Sequence, residues 1–297
     1  MSSDYVVYAT CYPGVESYFP QWRNSILAQT DKEFDLAIGL DVITPSQVQE
    51  MLGVDIKARF LMAPAGSTPA GVRNHAFAQL VDDYKGVIMT DMDDLLLPER
   101  VRSAKAMLSA SDLCCCAMQV MDADCMVQDV VFDPGKGTQN ILVGNVFGLG
   151  NTAYRSRLLK ECLPVPATCV LMDWLLATRA LASGATIAID RTPQMVYRQY
   201  PNNTARILPP FSTDQILKAC ELVLGHYSLA LAEAPERFPE MLDDLKHVSE
   251  NTWHFFETMQ RSRSILQDYV AALNTRPMQH VWWDCVAHPE LEKIWKH

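Results

Sequence analysis

Four short apolar runs alternate with helix-patterned segments over the first ninety residues, and that alternation constrains the fold more than any other feature of the chain. Tyr5 to Thr10 is a β-branched and aromatic run. Phe34 to Leu40 is a second, ending at Asp41; Ile56 to Met62 is a third, and Gly86 to Thr90 a fourth. Between them, Tyr18 to Gln29 carries Phe19, Trp22, Ile26 and Gln29 at helical spacing, Pro45 to Leu52 reads as a short helix, and Val72 to Tyr84 as a longer one after the turn-rich APAGSTPAG. A β-α-β-α order predicts a mostly parallel α/β sheet with helices on both faces, because parallel neighbours need a crossover long enough to hold a helix.

Farther along, Pro98 fits the first position of a helix reaching about Ala110. Leu113 to Asn151 changes to short strands and Gly/Pro turns. Leu171 to Ser183 reads as a helix stopped by Gly184. Thr186 to Ile189 and Gln194 to Gln199 read as two strands, and beyond Thr213 the pattern is helical, interrupted at Pro235, Pro239 and Pro277. The expected division is an α/β catalytic domain over residues 1–205 and a helical C-terminal extension over 206–297. Chain length allows this, since 297 residues fit one large α/β domain with an addition.

Charge and cysteine usage exclude several classes. With 35 acidic against 25 basic side chains, the formal charge is −10. Proteins that track a phosphate backbone carry a basic face, so nucleic acid is not an expected partner. No stretch has the eighteen or so uncharged apolar residues of a membrane helix, and the N-terminus lacks the pattern of an export signal. The nine cysteines include consecutive Cys114, Cys115 and Cys116, which on a strand point to alternate faces and suit buried, reduced thiols better than a metal centre. A cytoplasmic location is the expectation. DPGKGTQN lacks the glycine spacing of a phosphate loop, and no G-x-G-x-x-G follows the first strand.

The chemistry concentrates in TDMDD, Thr90 to Asp94, directly after the apolar GVIM. Three carboxylates in four positions repel one another unless something compensates. The C-terminal end of a parallel strand is also where open α/β sheets place ligands. A hard divalent cation bridging to a diphosphate would use such an arrangement well. A solvated acidic turn ahead of the Pro98 helix is the plainer alternative.

Around this motif the sequence resembles the family-2 glycosyltransferases, nucleotide-sugar-dependent enzymes of the GT-A fold. The resemblance runs in order through NSILAQT (Asn24 to Thr30), FDLAIGLD ending at Asp41, GVRNHAF with Arg73 and Asn74, and VIMTDMDDLLLPERV. It continues through GLGNTAYRSRLL, MDWLLATRAL with Asp173 and Trp174, and YRQYPNN. It implies a Rossmann-like sheet and transfer of a sugar from a nucleotide-diphosphate donor to a glycan or other hydroxyl acceptor, normally with inversion. By the same resemblance, Thr10, Asp41 and Arg73 contact the nucleoside, and Asp91 faces the ribose or the metal. Asp93 is the main ligand of a divalent cation (Mn2+ or Mg2+), with Asp94 beside it. Arg198 faces the diphosphate together with Tyr197, Gln199 and Asn203, and Asp173 is the base that deprotonates the acceptor.

Two departures from the family pattern stand out. Met172 occupies the place of the first acid of a Glu-Asp pair before the Trp, and Tyr200 stands where many relatives carry a His after Arg-Gln. They motivate an alternative, a non-catalytic GT-A-like module that binds a nucleotide or glycan or scaffolds a partner. A nucleotidyltransferase is a weaker reading, because ATCYPGVESYF has no basic residue after the first strand. The C-terminal aromatics Trp253, Phe255, Phe256, Trp282, Trp283 and Trp295 suit helix packing, an acceptor platform, a homodimer contact or a peripheral membrane patch.

Overall fold

The strands form where the sequence places β-branched and aromatic runs, and their order sets where a ligand can sit. The computed structural model describes residues 3–53, 56–137, 140–200, 203–278 and 280–296; Thr138 of DPGKGTQN, and Pro201 and Asn202 of YRQYPNN, lie outside them. The chain divides into two compact units. One comprises Met1–Gly135, Phe147–Thr168 and Gly184–Tyr200; the other Lys136–Val146, Cys169–Ser183 and Pro201–His297.

The first unit holds a nine-stranded sheet. Its strands are β1 (Tyr5–Cys11), β2 (Asp35–Leu40), β3 (Arg59–Met62), β4 (Gly86–Met89), β5 (Leu95–Leu96), β6 (Leu113–Met121), β7 (Val127–Phe132), β8 (Thr152–Arg155) and β9 (Ile187–Arg198). They lie in the order β3-β2-β1-β4-β8-β6-β9-β5, with β7 paired to β6. The half from β3 to β4 is parallel as predicted. Beyond β4 only β6 and β9 run parallel, and the pairs β4–β8, β6–β8, β6–β7 and β5–β9 are antiparallel, so the sheet as a whole is mixed. Of these antiparallel pairs β6–β7 is a hairpin, whereas β8 and β5 join strands distant in the chain, a pairing that local pattern does not signal. Helices α1 (Phe19–Leu27), α2 (Pro45–Leu52), α3 (Pro69–Asp83), α4 (Arg100–Leu108) and α5 (Ser156–Cys162) complete this unit. A core of Val7, Ala9, Phe19, Trp22, Ile38, Ile88, Met92 and Val101 packs α1 and α4 onto the sheet.

Several boundaries differ from the sequence reading; among them, α4 begins at Arg100, so Pro98 precedes the helix and does not open it. Helix α3 starts at Pro69, inside the segment read as a turn, because the Thr68 side chain accepts from the Gly71 N–H and proline suits the first helical position. The two strands expected at Thr186–Ile189 and Gln194–Gln199 are one strand, β9, whose register against β6 shifts between Cys116 and Met118, letting it pass Pro193.

In the second unit are α6 (Met172–Ala182), α7 (Thr213–Arg237), α8 (Leu242–Arg261), α9 (Arg263–Leu273) and α10 (Glu292–Trp295). Helix α7 opens with a capping box, Ser212 and Gln215 satisfying each other's backbone N–H, and runs through Pro235 to stop before Pro239. Arg179 of α6 forms an ion pair with Glu233 of α7. Five of the six C-terminal aromatics are buried here; Trp253, 53% exposed, is not. None of the helices among the described residues is long and apolar enough to cross a membrane. Eight of the nine cysteines are buried thiols, Cys114 to Cys116 among them, and Cys125 is exposed.

Candidate active site

Strands β1, β2 and β3 step outward to one edge, and β4 returns to the other side of β1. This reversal makes the C-terminal ends of β1 and β4 a topological switch point, the place where doubly wound sheets take ligands. Thr10 lies at the end of β1, in register with Gly39. Asp41 follows β2 and donates its backbone N–H to the Cys11 carbonyl, at 2.9 Å. Thr90 donates its backbone N–H to the Tyr8 carbonyl, also 2.9 Å, which starts the acidic turn beside β1.

Tyr8 brings several of these residues together. Its hydroxyl lies 3.0 Å from Thr10 Oγ1. Burial pushes its phenol up to about 12, with Arg73 drawing it down and Asp91 pushing it up, so both charges reach this ring. Thr10, Arg73 and Asp91 therefore all lie near the Tyr8 ring. Asn74 faces elsewhere: its amide donates to the Val165 carbonyl (2.7 Å) and accepts from the Val165 N–H (3.1 Å), clamping α3 to the chain after α5.

The acidic turn is held from behind by the end of β9. The Arg198 N–H donates to Asp94 Oδ1 (2.8 Å), and its Nε donates to the Asp93 carbonyl oxygen (2.7 Å). The remaining guanidinium nitrogens reach Cys125 Sγ (2.9 Å) and Gln21 Oε1 (2.6 Å), and the group stacks over the Tyr18 ring, 4.7 Å from its centroid. With 0% exposure, Arg198 braces the turn from inside the protein. The resemblance places Arg198 at the diphosphate; here its backbone N–H holds the Asp94 carboxylate and its guanidinium holds the Asp93 main-chain carbonyl.

Tyr200, two residues on, donates its hydroxyl to Asp93 Oδ2 at 2.7 Å and stacks on Tyr18. Burial and then Asp93 hold the phenols of Tyr12 and Tyr200 well above their ordinary range. Asp94 is 2% exposed, and burial, followed by the neighbouring Asp93 and Asp91, holds its carboxyl well above the usual carboxylate range. Gly150 closes the other side: a Cβ there would lie 3.1 Å from Asp91 Oδ2 and 3.3 Å from Asp94 Oδ2.

A cation suits this electrostatics, because three crowded carboxylates at a strand end supply hard oxygen donors and gain from a positive charge. Among the described residues, no three His, Cys, Asp or Glu side chains are arranged to hold an ion by themselves. Asp91 and Asp93 could contribute to such a site only together with oxygens from a ligand or water. Asp94, tied to the β9 backbone, supports them.

Asp173 belongs to the second unit, in the first turn of α6, where its Oδ2 accepts from Asn145 Nδ2 at 2.8 Å. Met172, in place of an acid, is buried and packs inward.

Solved structures of similar fold include glycosyltransferases. A mannosyltransferase from Pyrobaculum calidifontis, PcManGT, in complex with GDP-Man and Mn2+, superposes with a TM-score of 0.61 at 14% identity, covering 92% of this chain and 79% of that one. S. aureus TarS superposes with a TM-score of 0.59 at 18% identity over 84% of this chain, which spans 43% of the TarS length. TarS residues 1–349 in complex with UDP-GlcNAc give a TM-score of 0.53 at 18% identity, covering 92% and 88%. The chain has the GT-A fold. No protein-family model matches the sequence, and no curated protein does.

Within the GT-A fold, the phrase NSILAQT gains a physical reason. Gln29 is buried and donates to the Ser25 and Leu97 carbonyls while accepting from the Val101 N–H, stapling α1 to the segment after the acidic turn. Sequence reasoning missed Tyr12, Gln21, Cys125 and Asn145, which are brought to their partners only by the fold. Gly150 stood in the glycine-rich stretch without a role, and only its packing against two carboxylates supplies one.

Proposed function

We propose that this chain is a glycosyltransferase that takes a sugar from a nucleotide-diphosphate donor and passes it to a hydroxyl acceptor. The observation that carries the reading is the braced acidic turn Asp91–Asp94 at the β1/β4 switch point, with Thr10 and Arg73 beside it. Support comes from the donors bound by proteins of like fold, UDP-GlcNAc in TarS and GDP-Man with Mn2+ in PcManGT.

In this reading Thr10, Asp41 and Arg73 bind the nucleoside end, and Asp91 sits at the ribose or the cation. Asp93 is the principal ligand of a divalent cation, Mn2+ or Mg2+, and that cation, when bound, offsets the charge of the departing diphosphate. Tyr200 and Arg198 hold Asp93 and Asp94 still, so the donor meets a preformed set of oxygens. Asp173 takes the acceptor proton as the hydroxyl attacks the anomeric carbon, giving inversion by a single displacement.

The test is thermal stabilisation by UDP, GDP, CDP and dTDP, each with and without Mn2+, on wild type and Asp93→Ala. Ligand at a hundredfold excess over Kd should add about 2.7 kcal/mol. A metal-dependent shift for one base, lost in Asp93→Ala, supports the reading. No shift with any of the four overturns it. A second reading, a nucleotide-binding module without turnover, draws on the hydrogen bond that occupies Asp93 Oδ2; nucleotide binding without donor cleavage would select it.

A further inference from the structure

Residues 140–146 belong to the second unit, and their course is fixed by their backbone. Trp174 Nε1 donates to the Ile141 carbonyl at 2.6 Å, and the Tyr227 hydroxyl to the Leu142 carbonyl at 2.7 Å. Asn145 pairs in both directions with Trp282, its N–H to the Trp282 carbonyl at 3.3 Å and the Trp282 N–H to its carbonyl at 2.8 Å. Glycines make the approach feasible: a Cβ on Gly144 would collide with Val281, and one on Gly137 would lie 2.5 Å from the His280 carbonyl oxygen. The product of this anchoring is one fully buried amide, Asn145, whose Nδ2 donates to Asp173 Oδ2 at 2.8 Å.

We propose that Asn145 is a positioning residue for Asp173, and that the Trp282 strand pairing exists to hold it; the inference rests on Asp173 being the base. During transfer the acceptor O–H breaks toward Asp173, the acceptor oxygen bonds the anomeric carbon, and the nucleoside diphosphate leaves with the electron pair. An amide N–H cannot take that proton. It fixes the rotation of the carboxylate and favours its ionised form over the protonated one. The C-terminal segment thereby acquires a role in the chemistry through backbone hydrogen bonds alone.

The test compares wild type, Asn145→Leu, Asn145→Ser and Asp173→Asn. Turnover is read as nucleoside diphosphate release from UDP-GlcNAc and GDP-mannose, with glycerol as acceptor. Independently of turnover, the aspartate carboxyls are titrated by 13C NMR, with the Asp173 signal assigned from Asp173→Asn. Expected are a kcat at least tenfold lower in Asn145→Leu at unchanged KM for the donor, an acid limb moved up by about one pH unit, and a partial return in Asn145→Ser. The Asp173 carboxyl should titrate correspondingly higher in the folded variants. Equal Asp173 titration in wild type and Asn145→Leu overturns the proposal, as does an unmoved kcat in Asn145→Leu. Full turnover in Asp173→Asn would instead remove the base assignment and leave the hydrogen bond standing.

Discussion

His226 gives the sharpest quantitative expectation. It lies on α7, wholly buried, with its ring stacked on Trp174 at 4.2 Å and 14° between planes. Neither ring nitrogen has a hydrogen-bond partner among the described residues, and burial lowers its pKa from 6.5 to about 3. The native imidazole is therefore neutral, whereas the unfolded chain takes up a proton below 6.5. Stability is fully present above that value and falls as the pH drops toward 3, by about 1.4 kcal/mol per unit. Between pH 7.5 and pH 5 the loss from this group alone comes to about 2 kcal/mol. His226→Phe keeps the stacked ring and removes the proton site, so it should lose about 2 kcal/mol less than wild type over that interval. The assay is urea unfolding at both pH values, followed by tryptophan fluorescence. Trp174, Trp253, Trp282, Trp283 and Trp295 all lie in the second unit, so the signal reports mainly the unit that holds His226. Equal losses in variant and wild type would refute the reasoning, because His226 would then be titrating in the folded state near its ordinary value.

Further expectations concern the acidic turn and its brace. Gly150→Ala should leave melting little changed but weaken Mn2+-dependent nucleotide binding tenfold or more, read by calorimetric titration, since its methyl would press on Asp91 and Asp94. Arg198→Lys should destabilise the protein by about 2–4 kcal/mol in denaturant unfolding, because an ammonium cannot reach Asp93, Cys125 and Gln21 together. Unchanged stability there would show that the turn holds itself. Cys125, whose thiol is drawn down by hydrogen bonds from Gln21 and Arg198, should be alkylated first of the nine under native conditions, giving one adduct per chain by mass spectrometry and none in Cys125→Ser.

The parallel half of the sheet was legible in the sequence because each strand there is a self-contained apolar run bounded by a helix. The acidic turn was legible for a related reason: carboxylates directly after a buried strand have only the strand end to occupy. The mixed half was not legible. Leu95–Leu96 is too short to signal a strand, and β8 lies inside a glycine-rich stretch; both become strands only by pairing with partners distant in the chain. Arg198 shows the same limit. The resemblance marked it as functional, but whether a guanidinium faces a ligand or a buried carbonyl depends on what packs against it.

Local pattern by itself therefore determined the order of elements in the parallel half and the position of the carboxylates, since both follow from periodicity and from where a chain must leave a sheet. Tertiary structure alone decided which groups those carboxylates meet. Tyr200 on Asp93, Gly150 against Asp91 and Asp94, and Asn145 on Asp173 are contacts spanning 28 to 107 residues or crossing between strands. No local rule encodes such a distance: short-range propensity fixes dihedral angles, while burial of a common core fixes which distant side chains share a volume.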